Sequence, residues 1–339
     1  MEKNKNVSNT EAVIEQPEVA NDVDLKKPTK VLTEEERLEL KKKYTISLED
    51  VEKITRVIFN KLTFNAEPGK EIPAMVIIGG QPGAGKTGLM TYTNAQLGEG
   101  TVVVDIDDFR NYHPNIEEIK KKYPDYYVDF TAKFISDVSH VITPMLIDGR
   151  YNMILHKTLG GPAVIDDTVI PALNAGYYLA LRVMAVSALQ SKLSALGRTQ
   201  DIRDYVGMVR WVNKEHHDNV YTGMLDVVDM FEKEKLANLV EVYMRGEKEE
   251  FPERVYANII GVDNNRKLPL LTSEKKTYAS AREAVEQSRI IDAWNCIEKI
   301  YDDKMGTIKQ KAKLHRGDGD ADREQAYIEE LECKIIDNA

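Results

Sequence analysis

The run Gly80-Gln81-Pro82-Gly83-Ala84-Gly85-Lys86-Thr87 satisfies the spacing G-x-x-x-x-G-K-[ST], and Gly88 follows it. Glycines at those places let backbone N–H groups turn inward around phosphate oxygens. A helix opening directly behind them presents its positive end to the same anion. On this reading residues 80–88 hold the phosphates of ATP, with Lys86 reaching the β- and γ-phosphates and the Thr87 hydroxyl ligating Mg²⁺. Further along stands Val104-Asp105-Ile106-Asp107-Asp108-Phe109-Arg110. Carboxylates at the end of a strand beside such a loop face the nucleotide crevice. Asp105 is expected to help hold Mg²⁺, and Asp107 is the candidate base for an acceptor hydroxyl. The blander alternative makes Asp107 or Asp108 the N-cap of the next helix. The neighbours His216 and His217 point about 100° apart on a helix and do not share a face, so they are expected to be structural rather than metal ligands.

These residues need a scaffold, and the hydrophobic pattern supplies one. Ala74-Met75-Val76-Ile77-Ile78 is short, continuous and apolar, the pattern of a strand buried on both faces of a parallel sheet. Similar runs occur at Thr101–Val104, Tyr151–Leu155 and Tyr178–Val186, then at Glu241–Met244 and Arg254–Tyr256. Helices are expected between them at 86–97, 115–145 and 168–175. That alternation predicts an α/β doubly wound parallel sheet of the P-loop NTPase type. Ahead of it, Thr33-Glu34-Glu35-Glu36 reads as a capping box. Ser47 and Asp50 open a second helix whose Val51, Ile54, Val57, Ile58 and Leu62 should face the core.

The chain divides into three expected parts: a disordered tail at 1–30, a kinase-like domain at 31–264 and a helical extension at 265–339. In the extension, helical patterns at 279–304 and 322–336 flank a polar linker, His315–Asp320. With 56 acidic against 46 basic residues the net charge is −10, which argues against non-specific nucleic-acid binding. The only cysteines, Cys296 and Cys333, fit no zinc spacing. No signal peptide or long apolar run is evident, so a cytoplasmic protein without membrane association is expected.

The motifs together resemble a known family. GGQPGAGKTG followed by DIDDFRNYHP is similar to the zeta toxins, the kinase half of epsilon–zeta toxin–antitoxin systems, and the likeness continues at 150–159, 175–186 and 210–218. The resemblance implies phosphorylation of a hydroxyl of UDP-N-acetylglucosamine with ATP and Mg²⁺, and Asp107 as base. It also implies a helical lid whose arginines match Arg210 and either Arg198 or Arg203, unless the latter are ordinary solvated helix arginines, and a separate small antitoxin partner covering the ATP site. The segments 33–62 or 279–336 could play that covering part within the chain.

The departures concern the acceptor. The family strand ends in Ile-Glu-Gly-Thr, whereas this chain has Leu155-His156-Lys157-Thr158, so Thr158 is kept and His156 replaces the sugar-gripping Glu. An expected Arg is Gly160. A second Glu falls at Ser136 or at His140, depending on which flanking motif sets the count. An imidazole offers one donor and one acceptor where a carboxylate only accepts. The expectation is therefore retained phosphate chemistry on a changed small-molecule acceptor. Two rivals are a P-loop kinase acting on NAD, a nucleoside or an antibiotic, and a catalytically degenerate ATP-binding interaction protein.

Overall fold

A computed structural model describes residues 32–69, 71–206, 212, 214–246 and 251–260, together with 279, 282, 283 and 286. The expected tail at 1–30, the 264/265 boundary, the polar linker and nearly all of the two C-terminal helices lie outside the described residues.

Six strands form one sheet in the order β2-β3-β1-β4-β5-β6: β1 Ala74–Gly79, β2 Val102–Val104, β3 Met153–His156, β4 Tyr178–Met184, β5 Leu239–Met244 and β6 Glu253–Ile259. The first five run parallel, and β6 closes the far edge antiparallel to β5. The central β1 is the most enclosed, pairing Ile77 with Leu155 on one side and Leu181 on the other. Its side chains alternate between two cores. Met75 and Ile77 join Val51, Phe134, Ile142 and Phe231 on one face, while Val76 and Ile78 pack with Leu89 and Tyr243 on the other. Each such side chain withdrawn from water contributes roughly 1.5–3 kcal/mol, which is why these runs read clearly as strands.

The helices are α1 Glu34–Lys43, α2 Leu48–Leu62, α3 Lys86–Leu97, α4 Ile116–Lys122, α5 Tyr127–Phe130, α6 Ala132–Asp148, α7 Ile170–Asn174, α8 Ala188–Val206 and α9 Lys214–Lys233. The Thr33 capping box and the Ser47 cap form as expected. Helix α1 itself has no fully buried residue; its Arg37 and Lys41 pair with Asp129, and its flanking Leu32 and Tyr44 pack with Ile119 and Phe130. On α2, Val57 departs from the expected face and is exposed, because it lies about 100° from the centre of the stripe made by Val51, Ile54, Ile58 and Leu62. The helix expected at 115–145 is three helices. Pro124 lacks an N–H and disfavours helix at the residue before it, so the chain breaks after α4. The segment expected at 168–175 opens as a π-turn, Ile165–Val169, before α7.

Sheet and helices are joined by a buried charge that the hydrophobic pattern hides. Glu241 of β5 accepts from Arg182 of β4 at 2.8 Å and from Arg254 of β6 at 2.6 Å, and Arg182 reaches on to Thr93 and Gln96 of α3. Among the described residues no helix is long and apolar enough to cross a membrane.

Candidate active site

The phosphate loop leaves β1 at Gly79 and turns through Gly83 (φ 79°) and Gly85 (φ 97°), conformations L side chains rarely adopt. A Cβ on Gly83 would overlap the Ser191 carbonyl oxygen of α8. Helix α3 begins at Lys86 with Gly85 as N-cap and no side chain capping its first N–H groups. Lys86 is buried and folds back over the loop, its amine donating to the carbonyls of Gly80 at 2.7 Å and Gln81 at 2.9 Å. Thr87 stands exposed on the first turn, with Gly88 after it.

Two side chains fix this loop from behind. Gln81 is fully buried and donates to the Val186 carbonyl at 2.8 Å and to Ser191 Oγ at 3.2 Å. Arg245, just past β5, donates to the carbonyls of Gly83 and Ala84 and to Ser194 Oγ at 2.9 Å. No motif marks Arg245, and the sequence reading passes over it.

The carboxylates sit where β2 ends. Asp105 caps the 3₁₀ turn Ile106–Tyr112, its side chain accepting the Asp107 N–H at 3.1 Å. The capping role suggested for Asp107 or Asp108 thus falls on Asp105. Asp107 Oδ1 instead accepts from Arg110, at 3.1 Å from Nε and 2.9 Å from Nη2. Arg110 is buried and also donates to the Val128 carbonyl at 2.8 Å and Thr131 Oγ1 at 2.6 Å. Burial pushes its guanidinium down to about 10, which still leaves it charged at neutral pH. Asp108 is pushed up by burial and then by the charge of Asp105, with His156 opposing.

The lid supplies Arg198, on α8. Burial lowers it, while Tyr127 and Asp105 pull the other way, so its charge acts on the carboxylate group. Its Nε is buried without a hydrogen-bond partner. Arg210 lies outside the described residues.

The acceptor candidates divide. His156 ends β3 beside Asp105, Nδ1 lying 3.2 Å from Oδ2 in a geometry that makes no hydrogen bond, and both its buried ring nitrogens lack partners. Ser136 and His140 lie one turn apart on α6, and His140 bonds the Ser136 carbonyl at 2.7 Å and approaches Asp167 at 3.4 Å. The two counts that separated these residues therefore lead to one helix face. Thr158 is exposed just past β3.

His217 and His216 diverge as expected of neighbours on a helix: His217 is buried in α9, His216 is exposed. His217 binds Ser191 Oγ at 2.8 Å and Asp218 at 3.1 Å, and Lys192 pairs with Asp218 at 2.6 Å. The order Ser–His–Asp imitates a hydrolase triad, but Ser191 is fully buried, with no path for a substrate to its oxygen. The linkage joins α8 and α9 to Gln81 and hence to the phosphate loop.

A parallel sheet ordered 2-3-1-4-5, a glycine loop after its central strand and carboxylates at the end of β2 define a P-loop nucleotide-binding α/β protein. The glycine loop with the uncapped start of α3, and the buried Arg198 Nε that no described group accepts from, fit a polyanionic ligand. Comparison with known proteins narrows the class. The zeta toxin family model matches residues 60–256, and the chain belongs to that family of kinase-like toxins. Toxin PezT of Streptococcus pneumoniae is 28% identical over 176 residues, 51% of this chain and 69% of PezT. Toxin zeta of Streptococcus pyogenes is 28% identical over 193 residues, 55% of this chain and 67% of that protein. A structure from the PezAT chromosomal toxin–antitoxin system of Streptococcus pneumoniae superposes with a TM-score of 0.59 at 21% identity, covering 76% of this chain and 98% of that one.

Proposed function

We propose that the chain is an ATP-dependent kinase that moves the γ-phosphoryl group of ATP to a hydroxyl of a small molecule. The observation supporting this most directly is the glycine loop after β1, with Lys86 folded over it and the start of α3 uncapped behind it, while Asp105 and Asp107 stand at the end of β2. In this reading residues 80–88 hold the triphosphate and Lys86 leaves its loop carbonyls for the β- and γ-oxygens. Asp107, oriented by Arg110, takes the acceptor's hydroxyl proton as the oxygen attacks the γ-phosphorus. The bond to the β–γ bridging oxygen breaks and ADP departs, while Arg198 and Arg210 offset the charge on the transferring group. Thr87 and Asp105 would hold Mg²⁺, which neutralises phosphate charge when bound.

A UDP-N-acetylglucosamine-like nucleotide sugar is the acceptor the family implies. His156 at the end of β3 favours a different one, since sites built on hydrogen bonds reject ligands of mismatched donor pattern. A separate antitoxin partner belongs to the same proposal, because the PezT relative comes from a toxin–antitoxin system. The test is transfer of γ-label from ATP to a panel of nucleotide sugars, NAD, nucleosides and antibiotics. Asp107→Asn should lower kcat by about 10²–10⁴ with ATP binding retained. Expressed in bacteria, the wild type should slow growth and Asp107→Ala relieve it. Binding of ATP with no label transferred to any extract would replace the kinase by a nucleotide-binding interaction protein.

A further inference from the structure

Two cations share the carbonyls of the phosphate loop. Lys86 takes those of Gly80 and Gln81, at 2.7 and 2.9 Å. Arg245, directly after β5, takes a second pair: its Nη2 donates to the Gly83 carbonyl and its Nε to the Ala84 carbonyl, the latter at 3.3 Å. Its Nη1 donates to Ser194 Oγ at 2.9 Å. The guanidinium packs so closely on the loop that a Cβ on Gly85 would stand 3.4 Å from its Nε.

A peptide unit is planar and trans, so its C=O and N–H point opposite ways. Drawing the Gly83 and Ala84 carbonyls toward one guanidinium therefore turns the N–H groups of Ala84 and Gly85 away from it. The Ala84 N–H is used within the turn, on the Gln81 carbonyl at 3.1 Å. That of Gly85 leads into the uncapped N–H groups at the start of α3, the place where an anion is held. Glycine permits this turn at 83 (φ 79°) and 85 (φ 97°), and the same freedom would let these peptide units rotate and present oxygen to a phosphate. Lys86 cannot prevent that during the reaction, because it is the group that moves to the β- and γ-oxygens. Arg245 can, since its donations go to the loop and to α8. Ser194 lies one turn before Arg198, so the same side chain ties the loop to the helix face that carries the lid arginine.

We propose that Arg245 is a positioning residue for ATP. It touches no phosphate; it holds the carbonyls of Gly83 and Ala84 away from the triphosphate and fixes the loop to the lid helix through Ser194. This rests on the reading of residues 80–88 as the triphosphate site and adds what keeps that site in its binding form.

Calorimetry on the full chain, with a non-hydrolysable ATP analogue and Mg²⁺, tests it. If the wild type does not bind the analogue, the triphosphate reading itself falls and takes this role with it. Given that binding, Arg245→Gln should weaken it about tenfold or more, the loss expected when hydrogen bonds from a charged donor go. Arg245→Lys should lose most of what Arg245→Gln loses, because an ammonium cannot span two carbonyls and a hydroxyl. Methylguanidinium at millimolar concentration should restore binding to Arg245→Ala and leave the wild type unchanged. Wild-type affinity in Arg245→Gln refutes the proposal with the triphosphate reading intact. Wild-type affinity in Arg245→Lys makes the residue a charge acting on the phosphates, and absence of rescue in a folded Arg245→Ala places its effect outside the loop; either overturns the proposal. Should the Arg245 variants fail to fold, Ser194→Ala keeps the arginine and removes one acceptor. It should weaken binding about threefold, and unchanged binding there refutes the tie to the lid helix.

Discussion

Arg110 decides how Asp107 can act, and it does so within one turn of chain. Both Nε and Nη2 reach the same carboxylate oxygen, and Val128 and Thr131 occupy the rest of the guanidinium. The fork is thus fixed on its own side before any substrate arrives, and Asp107 Oδ2 makes none of these bonds. Replacing Arg110 by Gln strips the carboxylate of a buried counter-charge, a loss of about 3 kcal/mol. The melting temperature should drop by several degrees, and kcat should fall with the Kd for ATP little changed. A Kd for ATP that weakened as much as kcat would place Arg110 in nucleotide binding instead. Arg110→Lys should recover little, since an ammonium cannot span Asp107 and Val128 together. Asp107 is legible in the sequence because a strand and a glycine loop frame it. Arg110 is not, because an arginine three places after an aspartate is ordinarily a solvated pair; only the burial of the 3₁₀ turn by α5 and α6 makes it an orienting group.

The lid is attached as an element, through the line Gln81–Ser191–His217–Asp218–Lys192. Asp218 only accepts, so neutral His217 presents Nδ1–H to it, and its Nε2 lies 2.8 Å from Ser191 Oγ. Burial lowers His217, and the same cause, burial first, lowers His113. A base whose folded value is depressed binds its proton more readily in the unfolded chain, so stability is complete above the ordinary histidine value near 6.5 and declines below it. Thermal unfolding followed from pH 7.5 to 5.5 should show a falling melting temperature. His217→Gln should make that slope shallower without abolishing it, because the buried His113 remains; an unchanged slope would remove His217 from the cause. At this scale the strands were legible, since residues buried on both faces are apolar nearly throughout, with Glu241 the exception that its two arginines compensate. The break at Pro124, the π-turn ahead of α7 and the lid's linkage were not. The first two turn on where tertiary packing accepts a helix end, and the third on which polar residues meet across 26 positions of sequence.

At the scale of the molecule, everything the proposed chemistry requires lies between the Thr33 cap and the end of β6. The antiparallel β6 completes the sheet edge, and Glu241 holds β4, β5 and β6 together with two arginines. What lies beyond β6 touches this body at Tyr221 of α9, whose hydroxyl donates to Glu286 and whose ring carries the Arg282 guanidinium 3.9 Å from its centre. The Tyr221 ring in turn stacks on His217, the residue that links the lid to the phosphate loop. Composition marks 265–339 as different in kind, but no pattern within it shows that Arg282 would meet α9, because a cation over an aromatic ring leaves no periodic signature. A chain ending at residue 264 keeps the sheet, the loop and the carboxylates. It should unfold in one transition and bind ATP within a fewfold of the full chain's affinity. Without Arg282 and Glu286, the backbone amides of α9 should exchange faster with deuterium than in the intact protein, while those of β1 and β4 keep their rates. Equal protection of α9 in both would mean that the Tyr221 contacts hold nothing in place, and loss of ATP binding would mean that the lid depends on the extension for its shape.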